Sequence, residues 1–204
     1  MAGVTPTLSA DLKAAGFKLG SPVFIRIFKQ PAVLELWVQK GPRFYFFRRY
    51  PICRFSGTLG PKLREGDRQV PEGCYFVPAS RMNPNSRFHL SFNLGYPDDF
   101  DRQNGRTGSA LMVHGACASI GCCAMGDDAI EEIWTLCSAA LSAGQPFFRV
   151  HCFPFRLSPE NLLAHADSPW IGLWAQLRPI YERFEKTRLP PDVVAKNKHY
   201  IMSD

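Results

Sequence analysis

The sequence predicts a mostly β domain of the α+β class, and three observations carry that prediction. Short apolar runs rich in aromatic and β-branched residues, each bounded by Gly or Pro, dominate the first half. Helical spacing of apolar residues is confined to two segments of the second half, one from Asp127 and one from Trp170 to Lys186. No internal repeat, low-complexity tract or bilayer-length apolar run interrupts the 204 residues, a length that suits one domain.

Residues 1–20 lack the basic start, apolar core and cleavage site of a secretory signal, and are set apart as an N-terminal segment. They read as a mature start or a cloning remnant. Val23–Phe28, Val33–Val38 and Phe44–Ile52 then read as three strands of an antiparallel meander, with turns at Lys29–Ala32 and Gln39–Pro42. Ser56–Gly73 mixes Gly, Pro and alternating charge and is expected to be a long ordered loop, after which Cys74–Pro78 returns to the sheet. Phe88–Leu94 alternates, with Phe88, Leu90, Phe92 and Leu94 on one face and His89, Ser91 and Asn93 on the other. The polar face suits either solvent or a ligand.

Ala110–Val113 is a short strand that leads into a Gly- and Cys-rich loop over 114–126. A helix follows, with a capping-box spacing at Asp128 and Glu131 and a stripe of Ile130, Ile133, Trp134, Cys137 and Leu141. Gly144 ends it. Phe147–Phe153 is a strand, and the tail from Leu189 is expected to wrap the surface. The main domain is therefore placed at 21–190 and the tail at 191–204.

The net charge of +6 is modest and dispersed, so an ordinary solvated surface is favoured over nucleic-acid binding. The densest basic segment, Arg43–Tyr50, reads as a strand with charged edges before it reads as a base-stacking platform. Membrane association is not indicated. The odd count of seven cysteines, with no CxxC pair, argues against a zinc ribbon and on usage alone favours a reducing compartment.

Chemistry concentrates in Val113–Met125. A cysteine nucleophile needs its proton removed, because a thiol with a pKa near 8.5 is mostly un-ionised at neutral pH. A nearby imidazole can take the proton, backbone N–H groups can hold an oxyanion, and a glycine beside the nucleophile admits substrate. His114 at a strand end and Gly121–Cys122 before a helix can supply these parts. Buried inert thiols and a strand-end histidine bonded to a neighbour are the structural alternative. A metal reading through His114, Cys117, Cys122 and Cys123 fits no zinc spacing, and Cys117 in the loop is open to a disulfide under oxidation.

His114–Gly115 followed by Ser119-Ile-Gly121-Cys122 resembles the active-site motif of YkuD-type L,D-transpeptidases. The likeness extends to a YafK (DpaA)-like branch through Tyr50–Gly57, Leu59–Lys62, Glu65–Gln69, Met82–Ser86, Phe92–Pro97 and Gly105–Ser109, and covers about residues 21–190. The resemblance implies a single catalytic domain of β-sandwich or barrel-like form with a few peripheral helices. It implies that Cys122 attacks a meso-diaminopimelate peptide carbonyl, with His114 as base and the Gly115 carbonyl or Ser119 holding its ring. Gly121 and Cys122 amides become oxyanion donors, and His89, Asn93 and Arg106 candidate substrate ligands. No metal or other cofactor is implied. The partner would be peptidoglycan stem peptides, including stems linked to a wall lipoprotein, in the periplasm with a signal removed. Hydrolysis of that link is the reading the branch favours; transpeptidation and a non-catalytic wall-binding module are the alternatives. Two departures stand out: Cys123 directly follows the nucleophile position, and Cys122-Cys-Ala-Met125 lacks the polar residue that many members carry after it.

Overall fold

A computed structural model describes residues 6–203. Its elements are α1 (Pro6–Ala14), β1 (Val23–Gln30), β2 (Val33–Lys40), β3 (Arg43–Pro51), β4 (Gly73–Pro78), β5 (Met82–Ser86), β6 (His89–Asn93), α2 (Asp99–Gln103), β7 (Met112–His114), β8 (Cys123–Ala124), α3 (Asp127–Ser142), β9 (Phe147–Phe155), α4 (Pro159–Ala164), α5 (Ile171–Thr187), β10 (Asp192–Lys196) and β11 (His199–Ser203). The architecture is α+β, as predicted. The predicted meander is present as β3-β2-β1, and β9 and β4 extend it to a five-stranded sheet in the order β3-β2-β1-β9-β4. A second sheet of four strands runs β5-β6-β7-β8. Both sheets are open rather than closed into a barrel.

The first sheet is covered on both sides, which is why β1 is buried almost without alternation. One face packs Ile25, Ile27, Leu34 and Leu36 against Leu90, Phe92 and the α3 stripe of Ile130, Ile133 and Cys137. The other packs Phe28, Phe153 and Phe155 against Trp174, Leu177 and Ile180 of α5. Each such aliphatic or aromatic side chain contributes about 1.5–3 kcal/mol of transfer free energy. Arg26, 1% exposed, lies within the second layer, surrounded by aromatic rings and bonded to Glu185 at 2.6 Å.

The loop over 56–73 is ordered by charges the sequence placed in alternation. Glu72, 0% exposed, pairs with Lys29 at 3.1 Å and accepts hydrogen bonds from Gly60 N–H and Trp174 Nε1–H, both at 2.8 Å. Lys29 Nζ in turn donates to the Gly60 carbonyl at 2.6 Å. Farther along, Asp67 accepts from Lys62 Nζ at 2.6 Å and from the Leu63 N–H at 2.8 Å.

Four features differ from expectation. The N-terminal segment contains α1, whose Leu8 and Leu12 are buried in the main core. The tail is a hairpin of β10 and β11 that stacks Tyr200 on Phe100 at 3.9 Å. Helix α3 begins earlier than the Asp128–Glu131 capping-box spacing implies: its N-cap is Gly126, which has no side chain to cap with, and Asp128 lies within the first turn. Finally, the alternation of residues 88–94 breaks at its start: His89 has φ 69°, which turns Phe88 out of the core while Leu90, Phe92 and Leu94 stay in it. No helix among the described residues is long and apolar enough to cross a membrane.

Candidate active site

Strand pairing in the second sheet decides which side chains meet. Val113 pairs with Cys123 and His114 with Ala124 in parallel register, while β6 sets Ser91 opposite His114. Residues opposite one another share a face and successive residues alternate. Val113, Phe92 and Cys123 therefore enter the core, where Cys123 is 1% exposed and burial pushes its thiol up to about 12. Cys122 falls on the other face, with Met112, His114 and Ser91. The adjacent thiols are thus separated by one pleat, and only Cys122 opens into a groove.

That groove has a volume of 840 Å³ and includes Cys122, His114, Ser91, Lys62, Arg68 and Arg87 in its lining. Cys122 is half-buried. Its Sγ accepts the Met112 N–H at 3.3 Å and lies 3.7 Å from the Ala110 carbonyl. His114 is 2% exposed, and its Nδ1 lies 2.6 Å from the Gly115 carbonyl. A carbonyl can only accept, so Nδ1 carries the proton and Nε2 is left with the lone pair that a base requires. Phe88 covers the imidazole at 4.7 Å between ring centres. The thiol's hydrogen-bond partners are backbone groups; a direct bond to the imidazole is not among them in this resting arrangement.

Burial pushes the Cys122 thiol up, with the Met112 N–H and the positive charge of Lys62 pulling it down. Burial likewise lowers His114, against a smaller upward pull from the Gly115 carbonyl. Both directions point to an un-ionised thiol and a neutral imidazole lining the same groove.

The loop between the two residues is held at several points. A Cβ at Gly115 would lie 2.7 Å from Asp127 Oδ1 and 2.7 Å from the Phe88 carbonyl, so only glycine fits there. Gly121 has φ 136°, a conformation side chains rarely adopt. Ser119 Oγ donates to the Cys122 carbonyl at 2.6 Å and receives the Gly121 N–H at 3.3 Å. Ser119 thus shapes the turn before Cys122, and it is the Gly115 carbonyl that holds the His114 ring. The Gly121 N–H, one of the two expected oxyanion donors, is engaged by Ser119.

Three predicted substrate ligands are engaged elsewhere. His89 Nε2 pairs with Glu131 at 2.7 Å, a consequence of its positive φ. Asn93 Oδ1 accepts the Gly95 N–H at 2.8 Å and serves the turn after β6. Arg106 bonds to the buried Asp101 at 2.8 Å, a structural salt bridge. In their place the groove presents Lys62, Arg68, Arg87 and Ser91. Ser91 lay on the polar face of the predicted strand, but the basic residues lie on loops that no periodicity brings together. Cys117 is spent in a disulfide with Cys53, with Cα atoms 5.5 Å apart, so with Cys123 in the core the metal reading loses two of its four candidates.

Fold and site together define a cysteine- and histidine-bearing L,D-transpeptidase-like domain. Two crystal structures of the helical cell shape determining protein Pgp2 from Campylobacter jejuni share its fold: a K307A mutant at TM-score 0.54 and 18% identity, and a second at TM-score 0.52 and 14% identity. They cover 86% and 93% of this chain, which spans 62% and 80% of theirs. No family model matches the chain. YafK of Escherichia coli K12, assigned to the L,D-transpeptidases, is 43% identical over 185 residues, covering 91% of this chain and 75% of its own, and the O157:H7 protein matches equally. The chain belongs to the L,D-transpeptidase family of YafK.

Proposed function

We propose that the protein is a cysteine-dependent peptidoglycan enzyme that acts at meso-diaminopimelate through a Cys122 acyl-enzyme, with water as the final acceptor. Homology supports the coarser part, a peptidoglycan-modifying function of L,D-transpeptidase type. The observation that carries the finer part is the shared face of Cys122 and His114, with Nδ1 committed to Gly115 and Nε2 unprotonated.

In this reading His114 Nε2 accepts the thiol proton as Sγ attacks the peptide carbonyl, and the Cys122 N–H stabilises the oxyanion. The leaving amine takes the proton from His114 as the tetrahedral intermediate collapses. Water, activated by the same imidazole, then hydrolyses the thioester. Arg68 and Arg87 bring positive charge suited to the free carboxylates of diaminopimelate, while Lys62 beside them is paired with Asp67 and Glu65 also lines the groove. Hydrolysis of a murein–lipoprotein link is the reaction this branch suggests. Amine-resolved transpeptidation is the second reading, favoured by the class to which YafK is assigned. The Cys53–Cys117 disulfide agrees with an oxidising compartment such as the periplasm.

Incubation with lipoprotein-linked muropeptides, followed by mass spectrometry, separates the two. Release of free wall peptide and lipoprotein supports hydrolysis; new crosslinks without free wall peptide reject it.

The neutral resting pair has its own signature. The rate of Cys122 alkylation by iodoacetamide is expected to climb through pH 7–9 toward the raised thiol pKa, with no plateau near pH 5. Such a plateau would reveal a preformed thiolate–imidazolium pair and exclude the general-base mechanism.

A further inference from the structure

Cys53 and Cys117 lie 64 positions apart, and both are exposed. Cys117 belongs to the loop that carries the nucleophile. Cys53 is followed by Arg54, whose N–H and carbonyl form a two-bond bridge with Ala124, at 3.1 and 2.9 Å. The segment 117–124 is therefore fastened at both ends to the adjacent pair Cys53–Arg54, covalently at Cys117 and through the backbone at Ala124. Cys122 sits inside that closed ring.

Between the fastenings, Cys122 is held by the Met112 N–H and Cys123 by its pairing with Val113, whereas residues 118–121 have few ties to the rest of the fold. Ala118 is exposed, Ile120 is 80% exposed, and Ala116 at the entrance holds φ 54°, which alanine adopts only under constraint. Ser119 ties the turn to itself, through the Cys122 carbonyl and the Gly121 N–H, and not to the rest of the fold. Placement of Sγ on the Met112 N–H therefore rests on the two fastenings together with the pairing of Cys123 on β7.

We propose that the Cys53–Cys117 disulfide is a positioning element for the nucleophile, and that opening it suppresses turnover while the domain stays folded. This rests on the reading of Cys122 as nucleophile. The opening step is ordinary exchange with a dithiol. One thiolate of the reductant attacks a sulfur of the bond and forms a mixed disulfide; its second thiol closes on the first. The protein gains two electrons and two protons as two thiols, and the reductant leaves as a disulfide.

The test compares the oxidised protein, the same protein reduced with dithiothreitol and then reoxidised, and the variant Cys53→Ala/Cys117→Ala. Each is kept below its measured thermal midpoint, with far-ultraviolet circular dichroism confirming the fold. Turnover of muropeptides is expected to fall about ten- to a hundredfold in kcat, with KM changed little, and to return on reoxidation of the wild type. Alkylation of Cys122, located by peptide mapping, is expected to move the other way. A loosened thiol loses its burial, and a drop of up to one pKa unit raises the rate at pH 7 about three- to tenfold in the double variant. A merely structural bond would lower the midpoint and leave both rates as they were, and that outcome overturns the proposal. So does a fall in kcat with unchanged Cys122 alkylation. If the oxidised protein turns over no wall peptide, the functional reading fails, and the alkylation comparison alone decides the positioning role.

Discussion

Cys122→Ala is expected to reduce kcat/KM on a susceptible muropeptide by about 10⁴-fold or more, to the background of the assay. No second thiol can substitute. Cys123, the nearest in sequence, is in the core with its thiol pushed up to about 12, Cys137 and Cys152 are buried as well, and the half-buried Cys74 lies outside the groove. The thermal midpoint should change little, because the half-buried side chain gives up only weak sulfur contacts to the Met112 N–H and the Ala110 carbonyl and no large cavity forms. Cys123→Ala is the matched control, expected to keep most activity while losing some stability through the core. Persistent turnover in Cys122→Ala would remove the acyl-enzyme from the mechanism and return the groove to a binding role.

The largest loss of stability is expected at Glu72. Changing it to Gln leaves Lys29, 5% exposed, without its counter-charge, and weakens the bonds to Gly60 and Trp174. Breaking a buried pair from one side costs about 3–5 kcal/mol. At about 2–4 °C per kcal/mol for a chain of this size, the midpoint falls by roughly 6–20 °C. Activity should suffer even at temperatures where the domain is folded, since the same loop presents Lys62 to the groove. The double change Lys29→Met/Glu72→Gln should recover part of the loss, because no bare charge is then left inside. Calorimetry on the two variants checks this; equal midpoints for Glu72→Gln and wild type would show that the network is not cohesive.

Much of the fold was legible because its strands carry their own punctuation. Val23–Phe28, Val33–Val38 and Phe44–Ile52 are short, apolar and bounded by Gly or Pro, and each is found where expected. The α3 stripe was equally plain. Short elements were missed: α2 and α4 span five and six residues, too few to display a period. The two-residue β8 has no signature of its own and exists only because β7 lies beside it. The candidate site divides in the same way. His114, Gly115, Ser119, Gly121 and Cys122 stand together in the sequence as a motif. His89 was misplaced because one positive φ overrode a clean alternation, and Arg106 because a buried aspartate five residues away took it first. Lys62, Arg68 and Arg87 converge only through tertiary folding of two loops, which local sequence does not encode.

The pleat that parts the two neighbouring thiols also bears on oxidative damage. If peroxide converts the exposed sulfur to a sulfenic acid, rescue requires a second thiol to condense with it. None lies in the groove: the adjacent cysteine points through the sheet, two others are already joined, Cys137 and Cys152 are buried, and the half-buried Cys74 packs on the α5 side of the first sheet. Repair must come from a small thiol or a partner protein, and without one the oxidised centre proceeds to irreversible acids.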